Sequence, residues 1–163
     1  MNDIINISSK IIGVASKIIG AIAITSAIIY FSINYKILPD YIPSDFDIGK
    51  SPNEYSHKIF LLIYMANSFG LYLLIFGYKH TKRIHFYPVR LNENNREIQY
   101  KLSISSLKLI SLCIIFFLCE ISVYLSEIGL SRSRFHGWFD LFLLYFSIGF
   151  ISIIFIILSF LKK

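Results

Sequence analysis

The chain of 163 residues is 55% hydrophobic and 17% aromatic, with only 16% charged residues, against about 25% charged in an ordinary soluble domain. That balance excludes a soluble globular design and points to a chain that lives in a bilayer. The formal net charge of +6 does not argue for nucleic acid, because the basic residues gather at the ends of apolar segments, where cytoplasmic retention and anionic lipid account for them.

A bilayer core takes about 20 apolar residues per helix, and four such windows lie along the sequence with short connections between them. The expected fold is all-α: an antiparallel bundle of four transmembrane helices over 11–33, 59–78, 95–126 and 138–161, forming one integral membrane domain over 1–163. Residues 1–10 read as a short segment lying along the inner surface before the first span. The first apolar run is too long for a signal-peptide core of roughly 7 to 15 residues, so a retained helix is expected. Within it Ser16, Gly20, Ala23 and Ala27 fall on one helical face, where a neighbouring backbone can approach closely. Lys17 reaches the headgroups by extending its stem.

Between the first two spans, the connection over 34–58 is polar and punctuated by Pro39, Pro43 and Pro52. Each proline fixes its own φ and turns the preceding residue away from helix, so Leu38, Ile42 and Ser51 should be extended. Tyr41, Ile42, Phe46, Ile48 and Tyr55 stand among the charges, whereas a disordered linker is poor in such residues. An ordered loop folded back on the membrane surface is expected, with Gly49 available for a positive-φ corner.

The second span pairs Ala66 with Gly70 at small-residue spacing and places Asn67 between them near mid-membrane, where an interhelical hydrogen bond is the expected use. The basic connection 79–94 follows, and Asn94 with Glu97 three residues on reads as a capping pair that starts the third helix near Asn95 as a cytoplasmic extension. His80 and His85 have no Cys or acid at ligand spacing. Glu120 is the acid deepest in an apolar run; it should be protonated, turned to water, or paired with Lys58 or Arg132 across the outer ends of the helices. Cys113 and Cys119 read as reduced core residues. A tight turn containing Arg132, Arg134 and His136 leads to Trp138, an interface anchor opening the fourth span, with Asp140 at headgroup depth.

The sequence Leu38-Pro39-Asp40-Tyr41-Ile42-Pro43, with the Pro52-Asn53 pair and closing Lys58, resembles the extracellular loop of a family of small bacterial membrane proteins of largely unknown function that includes the immunity protein for the sporulation-delaying (Sdp) toxin. Ser44, Asp45, Phe46 and Asp47 stand where that family usually has Thr-His-Phe-Asn, so its histidine is replaced by Asp45. A second patch, Tyr87-Pro88 followed by Asn95, Gln99 and Tyr100, resembles the family's segment before its third helix, with Asn94 where a Glu would be. The likeness runs over roughly 25–125. It implies a multi-pass protein of the bacterial cytoplasmic membrane whose outer loop meets a membrane-active peptide or a protein partner, through Leu38, Pro39, Ile42, Pro43, Asp45, Phe46, Asp47, Pro52 and Lys58.

Orientation comes from the basic residues. Nine of them (Lys10; Lys79, Lys82, Arg83, Arg90, Arg96, Lys101; Lys162, Lys163) fall on one side and five (Lys36, Lys50, Lys58, Arg132, Arg134) on the other. Both termini are therefore expected on the cytoplasmic side and the proline loop outside. No nucleophile elbow, phosphate-binding glycine loop or metal-ligand spacing is present, so no enzyme activity, cofactor or metal is expected. Asp45, Asp47 and His57 have the chemistry of a zinc set but lack a second histidine and a rigid support. The alternative to a partner-binding loop is a subunit of a small oligomeric transporter or channel, a homo-oligomer in which Glu120 and Asn67 line a polar path.

Overall fold

The computed structural model describes residues 2–46, 51–77, 87–132 and 139–161. Long apolar runs without an internal proline leave helix as the form that satisfies every backbone group in hydrocarbon. The chain accordingly forms α1 (Asn2–Asn34), α2 (Ile59–Tyr72), α3 (Arg96–Gly129) and α4 (Phe139–Leu161), with α2 closing in a π-helical turn at Leu73–Gly77. Three segments, Ile5–Asn34, Ile59–Gly77 and Arg96–Gly129, are long and apolar enough to cross a membrane, and Tyr145–Leu161 is a shorter apolar stretch. Of the expected surface segment at 1–10, residues 2–10 are instead the first part of α1, and the third helix runs three residues past the expected 126.

α1 and α3 run parallel and touch along their whole lengths. Contacts climb from Lys101 Nζ donating to Asn6 Oδ1 at 2.7 Å, through Ser105 Oγ to Ser9 Oγ at 2.9 Å, to Arg132 Nη1 donating to Asn34 Oδ1 at 3.0 Å. The small-residue stripe makes this approach possible: Ser16, Gly20, Ala23 and Ala27 are all buried. A Cβ on Gly20 would lie 3.3 Å from the Tyr72 ring and 3.5 Å from Leu112, so a larger residue there would push α2 and α3 outward. α2 runs antiparallel to both, placing Leu61 in a cluster with Phe31 and Leu125, and Ser68 in hydrogen-bond contact with Cys119. Cys119 is buried with Ile24, Ala27 and Ile115, and Cys113 is half-buried; both are thiols.

α4 packs only against α3 among the stronger pairings. Gln99, fully buried, donates through Nε2 to the Ser159 carbonyl at 2.9 Å, while at the other end Leu143 and Ser147 lie beside Phe116, Phe117 and Glu120. α4 therefore begins near the level of Glu120, about two turns short of the end of α3.

The start of α3 is one residue later than the capping pair Asn94 and Glu97 implies. Asn95 occupies the cap, and it exchanges bonds with Asn92: Asn92 N donates to Asn95 Oδ1 and Asn95 N to Asn92 Oδ1, each at 2.8 Å. Glu97 instead pairs with Lys101 at 2.5 Å, the favourable i,i+4 order. At its other end α3 stops in a Schellman turn. Ser131 adopts φ 58°, its N–H reaches the Ile128 carbonyl and that of Arg132 the Glu127 carbonyl, both at 2.9 Å.

Candidate functional site

The proline-containing connection is a hairpin. β1 (Tyr41–Phe46) pairs antiparallel with β2 (Pro52–His57), with Tyr41 opposite His57, Ile42 opposite Ser56, Pro43 opposite Tyr55 and Asp45 opposite Glu54. Prolines argue against central strands, but a two-stranded ribbon has only edges. The Lys58 amide donates to the Asp40 carbonyl at 2.8 Å; alternation of bonded and non-bonded pairs then puts Pro43 and Tyr55 at a non-bonded position, where the absent proline N–H leaves no gap in the ladder. The register shifts on either side of Asp45.

The ribbon has two faces. Ile42 and Phe46, with Leu38 ahead of them, are buried against Phe31, Leu61 and Leu125. This docking depends on Gly129 at the end of α3, because a Cβ there would stand 2.6 Å from Ile42 Cγ2 and 3.3 Å from Leu38 Cδ2. The opposite face carries Tyr41, 66% exposed, edge-on to His57 with ring centroids 5.7 Å apart, and Tyr55, 60% exposed. β2 is exposed along nearly its whole length.

Lys58 locks the base of the hairpin. Its ammonium donates to the Leu38 carbonyl at 3.0 Å and the Tyr35 carbonyl at 3.5 Å, pairs with Asp40 at 3.0 Å, and lies 4.8 Å from the Tyr35 ring centre. The hydrogen bond from Lys58, reinforced by its charge, holds the Asp40 carboxyl below its ordinary value. The expected pairing of Lys58 with Glu120 is thus replaced by one with Asp40. The antiparallel ribbon sets Asp40, just before β1, opposite Lys58, just after β2, while Glu120 is two turns down α3.

Arg132, the other partner expected for Glu120, is also engaged elsewhere. Its guanidinium stands 3.6 Å from Glu127 Oε1 and donates to Asn34. The Tyr30 hydroxyl donates to the same Glu127 oxygen, and Asn34 Nδ2 donates to the Tyr30 carbonyl at 2.9 Å. Glu127, Tyr30, Asn34 and Arg132 therefore close a network tying the ends of α1 and α3. The Schellman turn explains why: it folds Arg132 back over the last turn of α3, where Glu127 stands. Glu127 is one heptad beyond Glu120, so the two share a helix face; helical spacing extended past 126 reveals this.

Glu120 itself is exposed rather than turned into the bundle. It and Phe116 line two adjoining clefts, one of about 850 Å³ between α1 and α3 with Ala23, Ala27 and Tyr30, and one of about 250 Å³ between α3 and α4 with Leu143 and Ser147. Asn67 is also exposed, on an outward face of α2, and is not among the described residues lining either cleft. Among the described residues the two line no common cleft within one chain.

The hairpin gathers Leu38, Pro39, Ile42, Pro43, Asp45, Phe46, Pro52 and Lys58 into one substructure. Asp47, Gly49, the basic and histidine residues of 79–85, and Arg134, His136 and Trp138 lie outside the described residues. Asn95 and Gln99 of the second family-like patch are buried and serve the start of α3 and its bond to α4. Among the described residues no three His, Cys, Asp or Glu side chains come together as a metal set.

Three membrane-length apolar helices and a shorter apolar one, with large Ile, Leu and Phe side chains turned outward along α1, α2 and α4, define a helical membrane protein. No protein-family model matches the chain, and no curated protein or solved structure does.

Proposed function

We propose that this is a non-enzymatic multi-pass protein of the bacterial cytoplasmic membrane, both termini inside, whose hairpin faces outward and meets a membrane-active peptide or a protein partner. The reading is that of a toxin-immunity or signalling protein, as the resemblance of Leu38–Pro43 to the Sdp immunity family implies. The observation that supports it is the two-faced ribbon: one face is anchored through Ile42 and Phe46 and locked by Lys58, and the other offers Tyr41, Tyr55 and an exposed strand. Exposed edges of this kind accept an extended segment as an added strand, and tyrosines are favoured anchors at binding surfaces.

Protection of a sensitive cell against a secreted peptide encoded beside this chain tests the reading. Expression should protect, and Pro43→Ala, which loosens the ribbon, should weaken protection. A cysteine replacing Asp45 should react with an impermeant thiol reagent on intact cells, and one replacing Arg90 should not. A normally inserted chain that protects against none of these peptides overturns the proposal; the reverse labelling pattern overturns the orientation. A second reading, a subunit of an oligomeric transporter or channel, is favoured by the place of Glu120 at the junction of two clefts.

A further inference from the structure

Lys17 of α1 and Lys108 of α3 make a cationic pair that the chain leaves without counter-charge. The Lys108 ammonium lies against α1 at Gly13, where a built Cβ would stand 3.0 Å from Nζ. Lys17 follows one turn further along α1, near enough for its charge to act on Lys108. Lys108 is half-buried and Lys17 exposed, so the pair can be reached from outside the bundle. Among the described residues the ion pairs engage Lys58, Lys101 and Arg132, and neither of these two lysines.

The sequence holds no carboxylate to spare for them. Asp3, Glu97 and Glu120, the nearest acids along α1 and α3, are each about three turns from Gly13 or Lys108. Segment Ile59–Gly77 has no charged residue, the stretch 78–92 contains bases and no acid, and α4 has only Asp140, at its start. A positive pair beside lipid draws its counter-charge from the surroundings.

Depth says which surroundings those are. Gly20 packs against Tyr72, and α1 and α2 run antiparallel, so Lys17, below Gly20, and Gly77, below Tyr72, stand at one end of the span within a few ångströms. Segment Ile59–Gly77 has 19 residues, about 28 Å of helix, against a hydrocarbon thickness of about 30 Å. Its end therefore marks the edge of the hydrocarbon, and the two ammoniums fall at that edge, the level of the phospholipid phosphates. Val14 and Ile18, which flank Lys17 on the outer face of α1, are exposed and present an apolar wall just beside it.

We propose that Lys17, Lys108 and the notch at Gly13 form a binding site for the phosphodiester of an anionic phospholipid, its oxygens held between the two ammoniums and an acyl chain lying along Val14 and Ile18. Basic pockets between transmembrane helices recognise anionic head groups in this way. Gly13 belongs to the site because the missing side chain lets the Lys108 ammonium rest beside Lys17. A soluble phosphate shares the charge but has no chain for the apolar wall, which is why a lipid is the ligand. The site concerns the bilayer and stands apart from the role of the hairpin.

Native mass spectrometry of the purified chain in a non-ionic detergent, with phosphatidylglycerol and phosphatidylcholine added in equal amounts, tests the site. The wild type should retain phosphatidylglycerol in preference. Lys17→Gln and Lys108→Gln should each weaken that retention about fivefold, the worth of one lysine near a charged headgroup. Lys101→Gln removes the same charge from a lysine already paired with Glu97, and it should leave retention close to wild type. Gly13→Ala keeps every charge but displaces the Lys108 ammonium; retention should fall while the unfolding temperature holds or rises, since alanine favours helix. Equal retention of the two lipids, a loss with Lys101→Gln as large as with Lys108→Gln, or wild-type retention by Gly13→Ala overturns the proposal. Displacement of the lipid by an equal concentration of glycerol phosphate also overturns it, and assigns the pair to a soluble phosphate.

Discussion

Gly129→Ala separates the docking of the hairpin from the propensity of the helix. Helix propensity alone favours alanine by about 1 kcal/mol. The structure opposes this: the new methyl would stand 2.6 Å from Ile42 Cγ2, where ordinary carbon contact begins near 3.4 Å. Ile42 is 1% exposed and β-branched, so it cannot swing aside, and the ribbon must move by somewhat less than an ångström. Overpacking of this kind costs about 1–3 kcal/mol, leaving a net loss of up to about 2 kcal/mol after the propensity gain. For a chain of this length that is a fall of up to about 8 °C in Tm, readable by circular dichroism of the purified protein in detergent. Ile42→Ala alone should cost about 2–5 kcal/mol. Combined with Gly129→Ala it should cost less than the sum, because the added methyl enters the space that Ile42 vacates. Additive effects in this cycle, or a Gly129→Ala protein more stable than wild type, would refute the packing argument.

Ser131→Gly should raise stability by about 1 kcal/mol, because a serine at φ 58° bears the left-handed penalty that glycine does not, and the Tm should rise accordingly. Asp40 carries a pH dependence. Its carboxyl is depressed in the folded state, so its contribution is present above the ordinary value of 3.8 and is lost as the pH falls through the lower folded value. Protection from hydrogen exchange at the base of the hairpin, taken relative to the free-chain rate at the same pH, should therefore fall on strong acidification, and Asp40→Asn should remove that step while leaving the neutral-pH protein with a looser Lys58.

The parts of this structure that were legible in the sequence are those governed by one helix or one composition. Four apolar windows gave the helices, and the spacing of Ser16, Gly20, Ala23 and Ala27 gave the buried face of α1, since small residues in an apolar helix have few other uses. Aromatic residues among prolines gave an ordered connection at 34–58, but not its pairing: Pro43 argues against a strand until its partner Tyr55 is known to sit at a non-bonded position. Partners of charged groups were the least legible. Depth alone matches Lys58 with Glu120, while Asp40, opposite it across the base of the ribbon, takes it. Glu127 lies past 126, where the apolar spacing of the third span ends, and the left-handed Ser131 that carries Arg132 back over it has no signature in composition. The cap fell on Asn95 rather than Asn94 because Asn92 answers it, and a run of asparagines does not say which of its members pair.

The contact between Gln99 and the Ser159 carbonyl has a mechanical consequence for α4. Its described length is almost wholly apolar, a smooth rod that lipid alone would let slide along α3. One buried amide bonded to one backbone oxygen marks its stopping point, and a slip of one turn, about 5.4 Å, breaks the bond. A hydrogen bond of this kind is worth only about 1 kcal/mol, and mismatch between helix length and bilayer thickness costs fractions of a kcal/mol per ångström. In a membrane several ångströms thinner or thicker, α4 is therefore the element that yields first, riding up or down while the other helices and the hairpin keep their places.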